Sequence, residues 1–241
     1  MDLCTYHSHC NFCDGKAPAE NFVKAAIEAG FHSYGISSHS PLPFETRWSL
    51  SKGNVEAYLT EIKRLQEKYA GQIELYVGME IDYLNDDWGP AVEYFQRMPL
   101  DYRIGSVHLV TEEQTGEIMD MDGKFEDFRE NLRLIFHDDL KYLVEAYFKA
   151  SSRMVELGGF DFVAHLDKIS MNGSLMDSTL TEQEWYNRLL WDYMSLIAKK
   201  GVMVEVNTKA YTKKGMMFPN VKYFKWLKEL NIPVMVNSDA H

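Results

Sequence analysis

Ile73-Glu74-Leu75-Tyr76-Val77-Gly78-Met79-Glu80-Ile81-Asp82 is a short, nearly continuous apolar run that ends on two carboxylates. Runs of this kind form strands buried on both faces of a parallel sheet. The pattern recurs. Strands are predicted over residues 3–7, 33–38, 73–81, 102–107, 160–164, 202–206 and 233–237. Helical periodicity fills the gaps. Residues 19–29 place Phe22, Ala25, Ala26 and Ala29 on one face and stop at Gly30, a residue suited to a helix end. Residues 54–69 carry Val55, Leu59, Ile62 and Leu65 as a stripe. One long helix is predicted over 125–157, closing at Gly158-Gly159. Another covers 181–200, opened by a Thr181/Glu184 capping box, and a last one spans 220–230. No linker rich in Pro, Gly or Ser divides the chain, so residues 1–241 are expected to form one domain. Strands alternating with helices predict an α/β barrel of seven strands. The eighth strand of a complete (β/α)8 barrel is either absent or lies in a missing tail. An open doubly wound sheet is the alternative.

The wider composition excludes several classes. Hydrophobic residues make up 46% of the chain and charged residues 25%, as in ordinary folded proteins. No apolar run is long enough for a membrane helix, so no membrane association is expected. MDLCTYHSHC lacks the basic and apolar regions of a signal peptide. A net charge of −11 disfavours binding to long nucleic acid but permits a small anion beside bound metal. The only cysteines are Cys4, Cys10 and Cys13, which give no disulfide framework and fit a reducing cytoplasm. The Cys10-x-x-Cys13 pair reads as small side chains packed beside the site. Ser238-Asp239-Ala240-His241 directly succeeds an apolar run with no closing helix, and a natural C-terminal tail is expected beyond it.

The chemistry lies at the residues where each strand ends. His7 and His9 close the first, His39 the second, Glu80 and Asp82 the third, and His108 the fourth. His165 and Asp167 close the fifth, Glu205 and Asn207 the sixth, and Asp239 and His241 the seventh. Six of the eight histidines sit at such ends; only His32 and His137 do not. A single strand-end histidine is usually an ordinary polar residue, but six of eight at equivalent positions point to a shared role. In a parallel barrel these ends meet on one face, where active sites collect. The spacing of His7-x-His9 and Asp239-x-His241 puts each pair on one side of a strand. Imidazole with carboxylate suits divalent Zn, Mn or Fe, and so many donors exceed one tetrahedral ion. Two or three ions are expected. Asp82 and Asp167 either orient a histidine or face solvent.

Four motifs in this order complete the argument: Tyr6-His7-Ser8-His9, Gly78-Met79-Glu80-Ile81-Asp82, Gly105-Ser106-Val107-His108 and Ser238-Asp239-Ala240-His241. With His39 and His165 between them, the chain resembles the polymerase and histidinol phosphatase (PHP) superfamily over essentially its whole length. Ser38-His39-Ser40-Pro41-Leu42-Pro43, the segment from Phe160 to Asp167 and Glu205-Val206-Asn207-Thr208 resemble its histidinol-phosphate phosphatase branch. The resemblance implies a distorted (β/α)7 TIM-like barrel with a trinuclear centre. By that resemblance, His7, His9, Glu80 and Asp239 hold one metal. Glu80 bridges to a second, with His108 and His165. Asp14, His39 and His241 hold the third. Some relatives carry histidine where Asp14 stands, and oxygen there favours Mn or Fe.

The implied reaction is hydrolysis of L-histidinol phosphate to L-histidinol and phosphate, a step of histidine biosynthesis. A metal-bridging water loses its proton and attacks phosphorus in line. Glu80, Asp239 and His241 are the expected catalytic residues. Arg47 and Lys209, on strand-end loops, are the expected phosphate ligands. Glu45 or another loop acid is placed to meet the substrate ammonium group. A small phosphorylated substrate and a monomer are expected. Rival readings are another phosphoesterase of the superfamily, acting on nucleotides, oligonucleotides or phosphotyrosine, and a metal-binding module without turnover. An amidohydrolase would place a lysine at a strand end, and no such lysine is present at the matching ends.

Overall fold

The computed structural model describes residues 3–241. In chain order the elements are β1 (Leu3–Thr5), α1 (Ala19–Glu28), β2 (Phe31–Ile36), α2 (Val55–Lys68), β3 (Glu74–Asp82), α3 (Glu93–Gln96), β4 (Tyr102–Ser106), β5 (Leu109–Thr111), β6 (Ile118–Asp120) and α4 (Phe125–Ile135). They continue with α5 (Leu140–Leu157), β7 (Phe162–Val163), α6 (Ser170–Met176), α7 (Glu184–Lys200), β8 (Met203–Asn207), α8 (Tyr211–Lys214), α9 (Phe224–Glu229) and β9 (Val234–Asn237). The seven apolar runs pair in parallel in the order β1-β2-β3-β4-β7-β8-β9. The two outer strands then approach each other. Ser8 bridges Ala240 in parallel, the His9 amide donates to the Ala240 carbonyl at 2.8 Å, and the Tyr6 amide donates to Asn237 Oδ1 at 2.8 Å. The sheet is thus a nearly closed seven-stranded α/β barrel, as the strand count predicted.

Apolar packing holds this wall from both sides. Outside it, Val23, Ala26, Tyr58, Ile62 and Leu65 of α1 and α2 form one cluster. Phe128, Leu132, Phe148, Tyr186 and Met194 of α4, α5 and α7 belong to a larger one. Inside, Tyr102, Ile104, Phe162 and Ala164 pack together, and the Tyr102 hydroxyl donates to the Tyr6 carbonyl at 2.6 Å. Tyr102 fits because its neighbours are glycines. A Cβ on Gly35 or Gly78 would lie 2.2 Å from it.

Several expectations are corrected. The helix predicted over 125–157 is two, because His137 and Asp138 take positive φ (54° and 63°) and Asp139 caps a new start by accepting the Tyr142 amide at 2.9 Å. The Thr181/Glu184 capping box does not form. Residues Leu180–Glu182 make a 3-10 turn and α7 begins at Glu184. The buried face of α1 is Ala19, Val23 and Ala26 rather than Phe22, Ala25 and Ala29, since Val23 takes the core position. The β5–β6 hairpin was not anticipated; its strands are only three residues each. No helix among the described residues is long and apolar enough to cross a membrane.

Candidate metal centre

The carboxyl ends of the strands deliver the nine expected ligands to one place. His7, His9 and Asp239 form one tight set of donors. His39, Glu80 and His108 form a second, and His9, Asp14, His39 and His241 a third. Glu80 stands among them. Its Oε2 lies 3.2 Å from His7 Nε2, 3.5 Å from His9 Nε2 and 3.0 Å from His39 Nδ1. Its Oε1 lies 2.9 Å from His165 Nε2 and 3.7 Å from His108 Nε2. Asp239 Oδ1 sits 3.3 Å from His9 Nε2, and Asp14 Oδ1 is 3.3 Å from His241 Nε2. Two of these positions carry backbone strain: His165 and Asp239 have φ of 24° and 48°, the left-handed region that side chains other than glycine avoid. Such strain typically costs about 1–3 kcal/mol per residue and concentrates at functional sites.

The donors suit metal better than they suit one another. Glu80 Oε2 and His39 Nδ1 are buried and 3.0 Å apart, yet misaligned, and neither has a hydrogen-bond partner. His9 stacks on His241 at 4.0 Å and lies 4.2 Å from the His39 ring. Buried imidazoles packed this closely, with lone pairs converging on two buried carboxylates, are satisfied by cations at the centre of the group. A donor set of imidazole and carboxylate fits Zn, Mn or Fe.

Further groups fix the ligands' orientation. Glu205 Oε1 lies 2.6 Å from His7 Nδ1 and also accepts from Asn237 Nδ2 at 3.0 Å. Its Oε2 accepts from the His165 amide and from Asn207 Nδ2, and the same Asn207 amide group donates to Asp239 Oδ2 at 2.9 Å. Asp82 Oδ1 accepts the His108 amide and meets its Nδ1, both at 2.9 Å. These contacts turn the opposite ring nitrogens, His7 Nε2 and His108 Nε2, toward the centre. Asp82 therefore orients a histidine. Asp167 instead accepts the Asn220 amide at 3.0 Å, and burial pushes its carboxyl up to about 7. Burial also raises the Glu80 carboxyl, but His7, His39 and His108 outweigh it and hold Glu80 well below the usual carboxylate range. Burial pulls His7 down, yet Glu205, Asp239 and Glu80 carry it well above its ordinary value. His9 moves the other way, depressed by burial and by His39. Cys10 is buried against Ser38, Cys13 Sγ lies 3.5 Å from His9 Nδ1, and burial pushes the Cys13 thiol up to about 11.

A cavity of about 260 Å³ opens over the cluster. Lys209 reaches it, with Nζ 3.0 Å from His241 Nε2 and 3.4 Å from Asp239 Oδ1. Arg47 does not. The 40–51 loop is held by Trp48 Nε1 donating to Asp120 Oδ2 at 3.1 Å, so Trp48 lines the cavity while Arg47 is exposed in a neighbouring groove with Glu45. The cation in the cavity that sequence reasoning missed is Lys168. It is buried, with Nζ 3.3 Å from Asp122 Oδ2. Its signal was its place three residues after His165. Trp48, Asp120 and Asp122 were missed with the hairpin.

A histidinol-phosphatase of Bacillus subtilis is 24% identical to the chain over 260 aligned positions, covering 98% of this chain and 92% of that protein. A solved structure from Listeria monocytogenes, provisionally assigned as a histidinol phosphatase, superposes with a TM-score of 0.84 at 23% identity, covering 99% of this chain and 95% of that one. Histidinol phosphate phosphatase of Lactococcus lactis, solved with zinc, L-histidinol and phosphate, superposes with a TM-score of 0.73 at 22% identity over 99% and 86% of the two chains. At these identities the structural likenesses bear on the fold, and they agree with the barrel described above. The PHP domain model matches residues 5–209, from the first strand to the loop after β8, and the chain belongs to that family.

Proposed function

We propose that the chain is a metal-dependent phosphomonoesterase that hydrolyses L-histidinol phosphate to L-histidinol and phosphate. The observation that carries this is the cluster of buried histidines and carboxylates, with donors lacking hydrogen-bond partners, beside a small cavity that two lysines enter. The curated relatives named for this activity support the choice of substrate.

His7, His9, Glu80 and Asp239 would hold one ion, Glu80, His108 and His165 a second, and Asp14, His39 and His241 a third. The ions are drawn from Zn, Mn and Fe. When bound, they supply acidification of a water molecule and neutralisation of charge on the phosphoryl oxygens. The protein's own groups do the rest. Lys209, beside Asp239 and His241, takes one side of the phosphate, and Lys168 the other. Each ammonium group offers donors and positive charge to an oxygen that gains charge as the ester bond breaks. Glu80, Asp239 and His241 border the reacting centre. Glu205 and Asp82 keep His7 and His108 in one tautomer and one orientation. Trp48, bonded across to Asp120, closes part of the cavity mouth and excludes water. A cavity this small favours a compact ester over a phosphotyrosine held in a protein chain, and the net charge of −11 disfavours oligonucleotides. The working form is a cytoplasmic monomer.

The deciding experiment is steady-state hydrolysis of L-histidinol phosphate by protein loaded with Mn, Zn or Fe. Turnover with kcat/KM at or above roughly 10⁴ M⁻¹s⁻¹ that collapses in Asp239→Ala is expected. Faster hydrolysis of nucleotides or phosphotyrosine peptides would transfer the chain to another branch of the family. Unchanged activity in Asp239→Ala would refute the site.

A further inference from the structure

The β5–β6 hairpin brings two acids to the cavity wall, Asp120 and Asp122. Their circumstances differ. Asp122 is answered by Lys168, whose Nζ lies 3.3 Å from its Oδ2. Asp120 has neutral partners. Trp48 Nε1 donates to its Oδ2 at 3.1 Å, and the Asp122 amide donates to its Oδ1 at 3.0 Å. No Lys, Arg or His among the described residues pairs with it. Each of its oxygens keeps a lone pair free, and the side chain is partly buried in the cavity that also takes Lys168 and Lys209. A carboxylate withdrawn from water without a counter-ion is costly, and a ligand cation removes that cost.

We infer that Asp120 is a specificity-determining residue, which selects phosphomonoesters carrying an ammonium group a few bonds from the phosphate. The inference rests on the phosphomonoesterase reading and refines it. A phosphate held by the lysines and the ligand cluster leaves the rest of a compact ester only the remainder of a cavity of about 260 Å³. An ammonium group there meets Asp120. An ester with a methylene in its place leaves the carboxylate unpaired, and discrimination of this kind is strong because the protein's polar group is stranded by the wrong ligand. The sequence pointed to Glu45 or a loop acid for this task. Glu45 lies in the outer groove, whereas Asp120 lines the cavity.

The test compares L-histidinol phosphate with its desamino analogue, 3-(imidazol-4-yl)propyl phosphate, on Mn-loaded protein at pH 8.5, where the imidazole is neutral. The wild-type chain is expected to prefer the amine ester at least tenfold in kcat/KM. Asp120→Asn should bring that ratio to within about twofold of unity, through a higher KM for the amine ester. Trp48→Phe, which removes the indole donor and keeps the carboxylate, should retain the preference. Wild type that hydrolyses both esters alike would overturn the inference and leave the phosphomonoesterase reading standing. So would an Asp120→Asn protein that keeps the preference. Loss of preference in Trp48→Phe as complete as in Asp120→Asn would also overturn it, because cavity shape and not charge would then be the cause. Wild type that hydrolyses neither ester would overturn the reading on which the inference rests.

Discussion

Lys168 and Lys209 are both cations of the cavity, but their surroundings make their loss different in kind. Lys168 is buried and paired with Asp122, so Lys168→Met strands a carboxylate. A drop in stability of about 1–3 kcal/mol is expected alongside a fall in kcat/KM of roughly 10²–10³. Lys209 is more exposed, and Lys209→Met should cost activity of the same order while leaving the thermal midpoint within a degree or two. Arg47→Ala should change kcat/KM by less than about twofold; a fall as large as for Lys209 would restore Arg47 to the site. Asp167 makes a separate, pH-dependent prediction. Burial raises its folded carboxyl to about 7, above an unfolded value near 3.8, so its favourable contribution is complete below about pH 4 and is lost as pH rises to 7. Denaturant melts at pH 5 and pH 8 should show Asp167→Asn relieving a pH-dependent loss on the order of 2–4 kcal/mol. The histidines were legible because each ends an apolar run whose direction is dictated by the sheet. Trp48 and Arg47 are adjacent on a loop, and nothing in the order of residues says which of the two turns inward.

The strands carry their positions through what they exclude. Gly78 of β3 and Gly35 of β2 leave the space that Tyr102 of β4 occupies, 2.2 Å from where a Cβ would stand. Gly78→Ala should therefore destabilise by about 1–3 kcal/mol, as overpacking does, and Tyr102→Leu should recover part of the loss in the double variant. Additive losses in calorimetry would show that the clash is not with Tyr102. At this scale the parallel strands were readable because burial on both faces writes them as apolar runs. The hairpin was not, since three residues are too few for a periodic signal. The helix over 125–157 was misread because its apolar spacing continues across His137 and Asp138, where only backbone conformation breaks it.

The whole barrel places buried carboxylates and lone-pair-bearing imidazoles together, which would make the folded chain and the ions proposed for it interdependent. Ligands that bind only the folded state stabilise it by mass action, by about 2.7 kcal/mol at a hundredfold excess over Kd. Removal of metal by a chelator should lower the thermal midpoint by roughly 5–10 °C, and Glu80→Gln should blunt that response. A chelator with no effect on the wild-type midpoint would count against the metal centre. The seven-stranded plan was visible in the alternation of elements; how nearly the sheet closes was not, because that depends on contacts between residues more than 230 positions apart, such as Tyr6 with Asn237. The same meeting of Ser8 with Ala240 has a consequence for biosynthesis. Of the ligands, translation releases His7 and His9 first and Asp239 and His241 last, so a nascent chain offers incomplete ligand sets until synthesis has passed the final pair. A complete set of donors is thereby available only after the last strand has been made, and from then on the supply of metal, not the order of emergence, would decide which ions are taken up.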